Sequence, residues 1–285
     1  MRRLRAVCLA ALLPLGAGVA GSASAQLRPL DPADWRIFDR DTDLLAGAGG
    51  GMLLDQPLTL AASRGTLLEL GSYRLLWRSG RIGLDLSGVA VWRLHEDTIT
   101  GTPTEGVAPA HRGIREGAGP FIAATILRLT PERWSTDVMI RFGARIPTTS
   151  DESGLERDRT DWFALGGARW RVGAWSLAGE AGVGINGARP VNYPQSDALL
   201  FSGSVLRAQG PVSVFTALTG QLDGLNGSVR GNEDKAELRT GVRLGRRWWL
   251  QTTWVHGLTR TSPDNGFLLL AGFATGCRVD CLPFN

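Results

Sequence analysis

Ionic side chains alternate with apolar ones in several short segments of this 285-residue chain. Within residues 135–147, for example, Arg141 and Arg145 alternate with Ile140, Phe142 and Ile146. Because successive side chains of a β-strand point to opposite faces, such segments predict strands with one ionic and one apolar face. The candidate ionic face comprises Asp85, Arg93, Arg141, Arg145, Arg169, Arg171, Glu180, Glu237, Arg239 and Arg243.

Two roles are open for this ionic face, and both can hold at once. Guanidinium groups pair with carboxylates in a bidentate manner, so the face could form salt bridges that brace the wall of a barrel. Alternatively, a ring of arginines could line an aqueous constriction and favour anions or polar groups during permeation.

A hydrolytic site would require a nucleophile, a histidine and an acidic or amide partner. His256 lies in a predicted strand close to Thr252 and Thr253, without a recognisable nucleophile motif. His95 would share a strand face with Asp97 rather than with Glu96. We therefore predict no catalytic residue, no metal site and no cofactor, and keep a membrane-embedded lipid hydrolase only as a minor alternative.

Cys277 and Cys281 follow the last predicted strand, with three residues between them. In an oxidising compartment this spacing predicts a disulfide in a small tail loop. Two thiols without a neighbouring histidine are too few ligands for a zinc site.

The elements that would position the ionic face are strands throughout. Period-two alternation recurs over about twelve segments, while helical periodicity is scarce. Connections alternate between tight turns, such as Ser79-Gly80 and Gly173-Ala174, and longer loops, such as residues 97–118. Short turns on one rim and long loops on the other are typical of outer-membrane barrels, so we predict an all-β, antiparallel, up-and-down transmembrane barrel of about 12 strands.

The N-terminal residues have the pattern of a cleaved export signal. Three arginines precede a short apolar run, and Ala23-Ser24-Ala25 gives a cleavage pattern of small residues. The predicted organisation is a signal peptide over residues 1–25, a periplasmic arm or plug over 26–43, the barrel over 44–276 and a tail over 277–285.

Removal of the signal would eliminate Arg2, Arg3 and Arg5 and lower the formal net charge from +4 to +1. The basic pI is then weak support for a nucleic-acid partner, and we predict none. After Gln26 the sequence contains no run of about 18 uncharged apolar residues, so a membrane-spanning helix is not expected.

Tryptophans cluster near the predicted strand ends, as expected of aromatic girdles at two membrane interfaces. The predicted interfacial residues are Trp77, Trp92, Trp134, Trp162, Trp170, Trp175 and Trp248. A soluble sandwich or lipocalin-like barrel would also alternate with period two, but with its apolar face turned inwards. The girdles, the loop asymmetry and the signal favour the membrane.

The run Arg141-Phe142-Gly143-Ala144-Arg145-Ile146-Pro147-Thr148, followed by an acidic loop, resembles outer-membrane proteins grouped with the meta-pathway phenol-degradation protein. Thr149 stands where that family usually has glycine. By strand layout the similarity extends over Leu44 to Gly276. The resemblance implies a transporter barrel that admits small, often aromatic or hydrophobic, molecules.

The sequence therefore favours an outer-membrane pore or transporter whose partners are membrane lipid and an unidentified small solute. The alternative is a structural or adhesive barrel with a closed lumen. The sequence does not indicate an oligomeric state.

Overall fold

The computed structural model describes residues 30–39, 42–58, 61–102, 113–131, 134–149, 155, 160–185, 197–222 and 234–276. A 3-10 helix, Asp34–Phe38, precedes thirteen strands. The strands are β1 Leu44–Leu58, β2 Ser63–Ser79, β3 Ile82–Ile99, β4 Ile114–Gly117, β5 Phe121–Arg128, β6 Thr136–Ile146, β7 Asp161–Val172, β8 Trp175–Ile185, β9 Asp197–Gln209, β10 Val212–Leu222, β11 Lys235–Leu244, β12 Trp248–Gly257 and β13 Asn265–Thr275. No helix among the described residues is long and apolar enough to cross a membrane.

The strands form one closed antiparallel barrel. Consecutive strands pair with each other, except that β4 and β5 both pair with β3. β1 also pairs with β13, from Leu44 opposite Thr275 to Leu54 opposite Asn265. β5 pairs with the first half of β3 and β4 with the second half, so β4 and β5 together occupy one position in the sheet. Thirteen strands thus fill twelve positions, and the predicted twelve-stranded barrel is confirmed.

Tight turns join the strands at one end of the barrel, which we call the turn rim. At Gly80 and Gly173 the backbone has φ values of 61° and 58°, a left-handed conformation that glycine adopts without steric cost. The opposite end, which we call the loop rim, carries the longer connections. The alternation of short and long connections follows the sequence prediction.

The two faces of the sheet differ sharply in polarity. On β7, Trp162 and Trp170 are 59% and 52% exposed on the outer surface, whereas Arg169 between them is only 3% exposed. On β6, Ile140 and Phe142 are exposed and Arg141 is buried. The apolar face therefore points away from the barrel axis and the ionic face points inwards.

The alternation of inward and outward side chains is interrupted in β2 and β3 at the same height. Leu70 and Gly71 are consecutive exposed residues of β2, and the paired Ala90 and Val91 are consecutive exposed residues of β3. Gly71 has a φ of 69°, and the register between β1 and β2 shifts beside it. This is a β-bulge, and beyond it the opposite set of residues points inwards.

The bulge overturns two predictions about site residues. Trp92 was expected at a membrane interface, but it is 2% exposed and its indole Nε1 donates to Glu69 Oε1 over 3.2 Å inside the barrel. Arg93 was expected in the lumen, but its side chain is 47% exposed and pairs with Glu116. Both predictions assumed unbroken alternation from Ile82 onwards, and the bulge reverses it.

Candidate functional site

The N-terminal residues 30–39, which we call the lumenal segment, lie inside the barrel. Asp34 pairs with Arg74 of β2 and with Arg243 of β11. Asp39 pairs with Arg169 of β7, and the backbone N–H of Leu30 donates to Glu180 of β8. These strands surround the barrel axis, so one short segment can contact all of them only from within.

The lumenal segment fills the half of the barrel next to the turn rim. Asp43, beside the first residue of β1, pairs with Arg78 near the β2–β3 turn. The other end of the segment, Leu30, lies deeper in the barrel and contacts Glu180 at the centre of β8. Trp35, Ile37 and Phe38 are almost fully buried against inward-facing side chains of the wall.

Asp34 is held by a pair of arginines that we call the arginine clamp. Arg243 Nη2 lies 2.9 Å from Asp34 Oδ1, and Arg74 Nε lies 3.3 Å from Asp34 Oδ2. The Arg243 guanidinium also stacks on Trp249, 4.1 Å from its ring centroid, and donates to Gln251 Oε1 over 2.7 Å. Burial raises the pKa of Asp34, and the attraction of both arginines opposes that rise.

The clamp continues into a chain of buried ion pairs across the wall. Arg74 pairs with Asp85 at 3.0 Å, and Asp85 pairs with Arg141 at 2.6 Å. Arg141 then pairs with Glu180 at 3.1 Å, and Glu180 accepts from the Leu30 N–H. Each of these carboxylates contacts at least one donor, as buried charge requires.

A second ion cluster lies closer to the turn rim. Asp137 accepts from Arg128 and from Arg169, whose Nη2 is 2.6 Å away. Arg169 also reaches Asp39 of the lumenal segment at 2.8 Å, and Arg171 reaches the same carboxylate at 3.4 Å. The segment is thus anchored by ion pairs at both Asp34 and Asp39.

Further ion pairs lie on the inner face closer to the loop rim. Arg239 pairs with Glu237 at 2.7 Å and lies 3.7 Å from Asp31 of the lumenal segment. Arg145 pairs with Asp161 at 2.8 Å near the loop rim.

The inner wall towards the loop rim carries apolar clusters beside buried charged groups, such as Glu69 and the ion pair of Arg115 with Glu96 at 2.8 Å. Leu53, Trp92 and Val255 belong to one buried cluster there, to which the loop residue Leu155 contributes. Phe163 and Leu200 belong to a second cluster, on β7 and β9. The lumen therefore holds the lumenal segment and its ion pairs near the turn rim, and a mixture of apolar and ionic side chains near the loop rim.

The structure distributes the predicted site residues as follows. Nine of the ten predicted lumenal residues point inwards and take part in the ion pairs above; Arg93 does not. Arg171 is partly exposed, at 32% of its side chain. The predicted interfacial tryptophans other than Trp92 are 45–70% exposed on the outer surface, namely Trp77, Trp134, Trp162, Trp170, Trp175 and Trp248.

Among the described residues, neither His256 nor His95 is part of a catalytic arrangement. His256 Nδ1 lies 3.1 Å from Asn265 Oδ1, and its ring stacks on Trp254. His95 pairs with Asp97 at 3.3 Å on the exposed face, as the strand geometry predicted. Cys277 and Cys281 lie outside the described residues, as does the predicted signal peptide.

Several interior charges were missing from the predicted set, above all Arg74, Arg128 and Asp137. Asp137 continues the alternation that identifies Arg141 and could have been included on that ground. Arg74 lies on a strand whose alternation the bulge at Gly71 breaks. The role of Asp34 has no periodic signal, because it precedes the first strand.

Comparisons with known proteins identify no family. No protein-family model and no curated protein matches the sequence. A solved porin structure is 11% identical with a TM-score of 0.36, covering 73% of this chain, which spans 62% of that porin.

Two other solved structures are similar over most of their length. OmpT, an outer membrane protein of Vibrio cholerae in a trimer form, is 11% identical with a TM-score of 0.39, covering 81% of this chain and 97% of that one. OccAB1 of Acinetobacter baumannii is 9% identical with a TM-score of 0.26, covering 84% and 97%. Similarity this low carries no inference about substrate or assembly, and the resemblance to the meta-pathway family stays a prediction.

Proposed function

We propose that this chain is an outer-membrane barrel that admits small molecules through its lumen, and that the lumenal segment closes it in the described state. The observation that carries the proposal is the polarity of the sheet. Large apolar side chains cover the outer surface, while the interior holds paired arginines and carboxylates. A barrel in water would show the opposite polarity, because burying charge inside and exposing apolar surface is unfavourable.

The outer surface also matches the dimensions of a bilayer. Trp162 and Trp170 stand eight residues apart on β7 with Ala164 and Ala168 between them on the outer face. At about 3.3 Å per residue, and with strands tilted by about 40°, they are roughly 20 Å apart along the membrane normal. This approaches the apolar height of about 25 Å that outer-membrane barrels present to lipid.

The inner wall supports a small apolar or aromatic solute. A molecule that enters from the loop rim passes the apolar cluster around Trp92, with the Glu69 carboxylate beside it, before it reaches the ion pairs of the lumenal segment. The segment is held by ion pairs and side-chain packing, without a backbone ladder to the wall like those that join the strands. Such an attachment can open without breaking the barrel. The proposal assigns no catalytic role to any residue.

Conductance in planar bilayers tests this function. The unaltered chain should give little steady current. A variant with residues 30–39 replaced by a Gly-Ser linker of equal length should give stable single-channel steps, because water would fill the vacated half of the lumen. Adding Arg239→Ala to that variant should shift its selectivity towards cations, whereas Arg207→Ala on the outer surface should not.

The second candidate is a structural or adhesive barrel with a closed lumen. It is favoured by Leu155, a loop residue that packs into the apolar cluster of the inner wall near the loop rim. A closed barrel should remain silent in bilayers even without the lumenal segment. Absence of current from the linker variant, despite confirmed insertion, would therefore replace the channel proposal with this one.

A further inference from the structure

We propose that the arginine clamp is a binding site for a small aromatic carboxylate, and that such a solute opens the lumen by replacing Asp34 and Trp35 of the lumenal segment. This inference rests on the proposed channel function and names its substrate class. In the described state the chain occupies the site with its own side chains.

The clamp is built by the wall and not by the segment. Gln251 and the Trp249 ring hold Arg243, and Asp85 fixes Arg74. These partners belong to strands β12 and β3, so they stay in place if the segment leaves. Arg243 donates a hydrogen bond to one oxygen of the Asp34 carboxylate, and the Arg74 guanidinium lies 3.3 Å from the other oxygen, so both arginines would attract another carboxylate at this position.

The charge of the wall favours an anion at this position. In the connected ion network, Arg74, Arg141 and Arg243 supply three positive charges, while Asp85 and Glu180 supply two negative ones. Asp34 provides the third. Departure of the segment alone would leave an excess of positive charge at Arg74 and Arg243, which entering water would only partly stabilise. A solute carboxylate removes that excess, whereas a neutral solute does not.

Trp35, the residue next to Asp34, indicates that the ligand carries an aromatic ring besides its carboxylate. The Trp35 ring is 1% exposed and belongs to the buried cluster that includes Met139 and Trp249. Its Cη2 atom lies 3.0 Å from the position that a Cβ would occupy on Gly167. When the segment withdraws, the volume of one aromatic ring becomes vacant in the buried cluster that includes Trp249, the ring on which Arg243 of the clamp stacks. A molecule that carries both a ring and a carboxylate would replace both side chains.

Hydrogen–deuterium exchange of the backbone amides in residues 30–39 measures the replacement directly. The full chain in detergent is titrated with sodium benzoate, with sodium chloride keeping the ionic strength constant. Benzoate should increase exchange in the segment to a plateau, while barrel strands remain protected. Benzyl alcohol, which has the ring without the charge, should leave exchange unchanged. Acetate, which has the charge without the ring, should act only at concentrations at least about tenfold higher.

Matched variants assign the effect to the clamp. Arg243→Gln should raise the benzoate concentration for half-maximal response at least about tenfold, because one charge-assisted contact is lost. Arg207→Gln, an outer-surface arginine stacked on Trp175, should behave like the unaltered chain. Asp34→Asn removes the competing carboxylate and should lower the half-maximal concentration.

If the Arg243→Gln substitution alone releases the lumenal segment, exchange no longer reports benzoate binding, and calorimetry on the Asp34→Asn variant tests the site instead. Benzoate should bind the Asp34→Asn variant. It should not bind the double variant that carries both Asp34→Asn and Arg243→Gln. Equal responses to benzoate and benzyl alcohol, or an unchanged response in Arg243→Gln, would overturn the carboxylate site. These results do not depend on conductance, so they are distinguishable from a failure of the channel function itself.

Discussion

Asp137 is completely buried between the guanidinium groups of Arg128 and Arg169. A carboxylate at such a position is stabilised only by its partners, because burial has removed its hydration. Its removal would leave two buried arginines with one negative contact fewer. The stability of the wall therefore depends on individual interior charges far more than on the surface pairs.

Asp137→Asn should lower the free energy of unfolding by about 3–5 kcal/mol. Urea denaturation of the refolded protein in lipid vesicles measures the change. Asp97→Asn is the matched control, since Asp97 forms an exposed pair with His95 and its loss should cost at most about 1 kcal/mol. Equal effects for the two substitutions would mean that the interior around Asp137 is solvated.

At the scale of the elements, the bulge of β2 and β3 decides which side chains enter the lumen. Gly71 adopts a φ of 69°, and a Cβ added there would lie 2.9 Å from the Cβ of Ala90. The position therefore requires glycine for both conformation and space. Through this bulge Trp92 and Leu94 join the interior, and Arg93 and His95 leave it.

Gly71→Ala should destabilise the barrel by about 1–3 kcal/mol, from the strained backbone and the contact with Ala90. Gly203→Ala is the control, because its added Cβ meets nothing within 4 Å and its change should stay within about 0.5 kcal/mol. The same vesicle denaturation applies. A neutral Gly71→Ala would argue against the bulge.

The bulge also explains how far the sequence could predict this structure. Strands with regular alternation, such as β6 and β7, were located to within a residue or two, together with their inward arginines. Trp92 and Arg93 were misassigned because a one-residue irregularity exchanges the inward and outward faces for all later residues of the strand. A glycine such as Gly71 does not by itself indicate a bulge in the sequence. The contacts of Asp34 and Asp39 depend on where the first residues return within the closed barrel, which no local pattern encodes.

At the scale of the whole molecule, the outer surface is a continuous apolar belt bounded by tryptophans. Ile140 lies halfway along β6 on this surface, and Val172 lies at the end of β7 on the turn rim. If the belt contacts lipid, the effect of a charge must depend on its depth. This distinguishes a membrane barrel from a soluble one without reference to transport.

Ile140→Arg should cost about 2–4 kcal/mol of folding free energy in vesicles, and Val172→Arg at most about 1 kcal/mol. The two substitutions introduce the same side chain and differ only in height. Denaturation curves for both variants in the same lipid provide the comparison. Similar costs at the two positions would place the belt outside the bilayer.

The pairing of β1 with β13 sets the order in which the molecule can be assembled. The other pairings join consecutive strands or, for β3 and β5, strands separated only by the short β4, whereas this one joins residues more than 200 positions apart. Hairpins between neighbouring strands can therefore form early. The barrel nevertheless remains an open sheet with two unpaired edge strands until β13 pairs with β1. Because residues 30–39 come shortly before β1 in the chain, the simplest route is for the growing sheet to curl around them. Pairing of β1 with β13 then closes the barrel with the lumenal segment already inside.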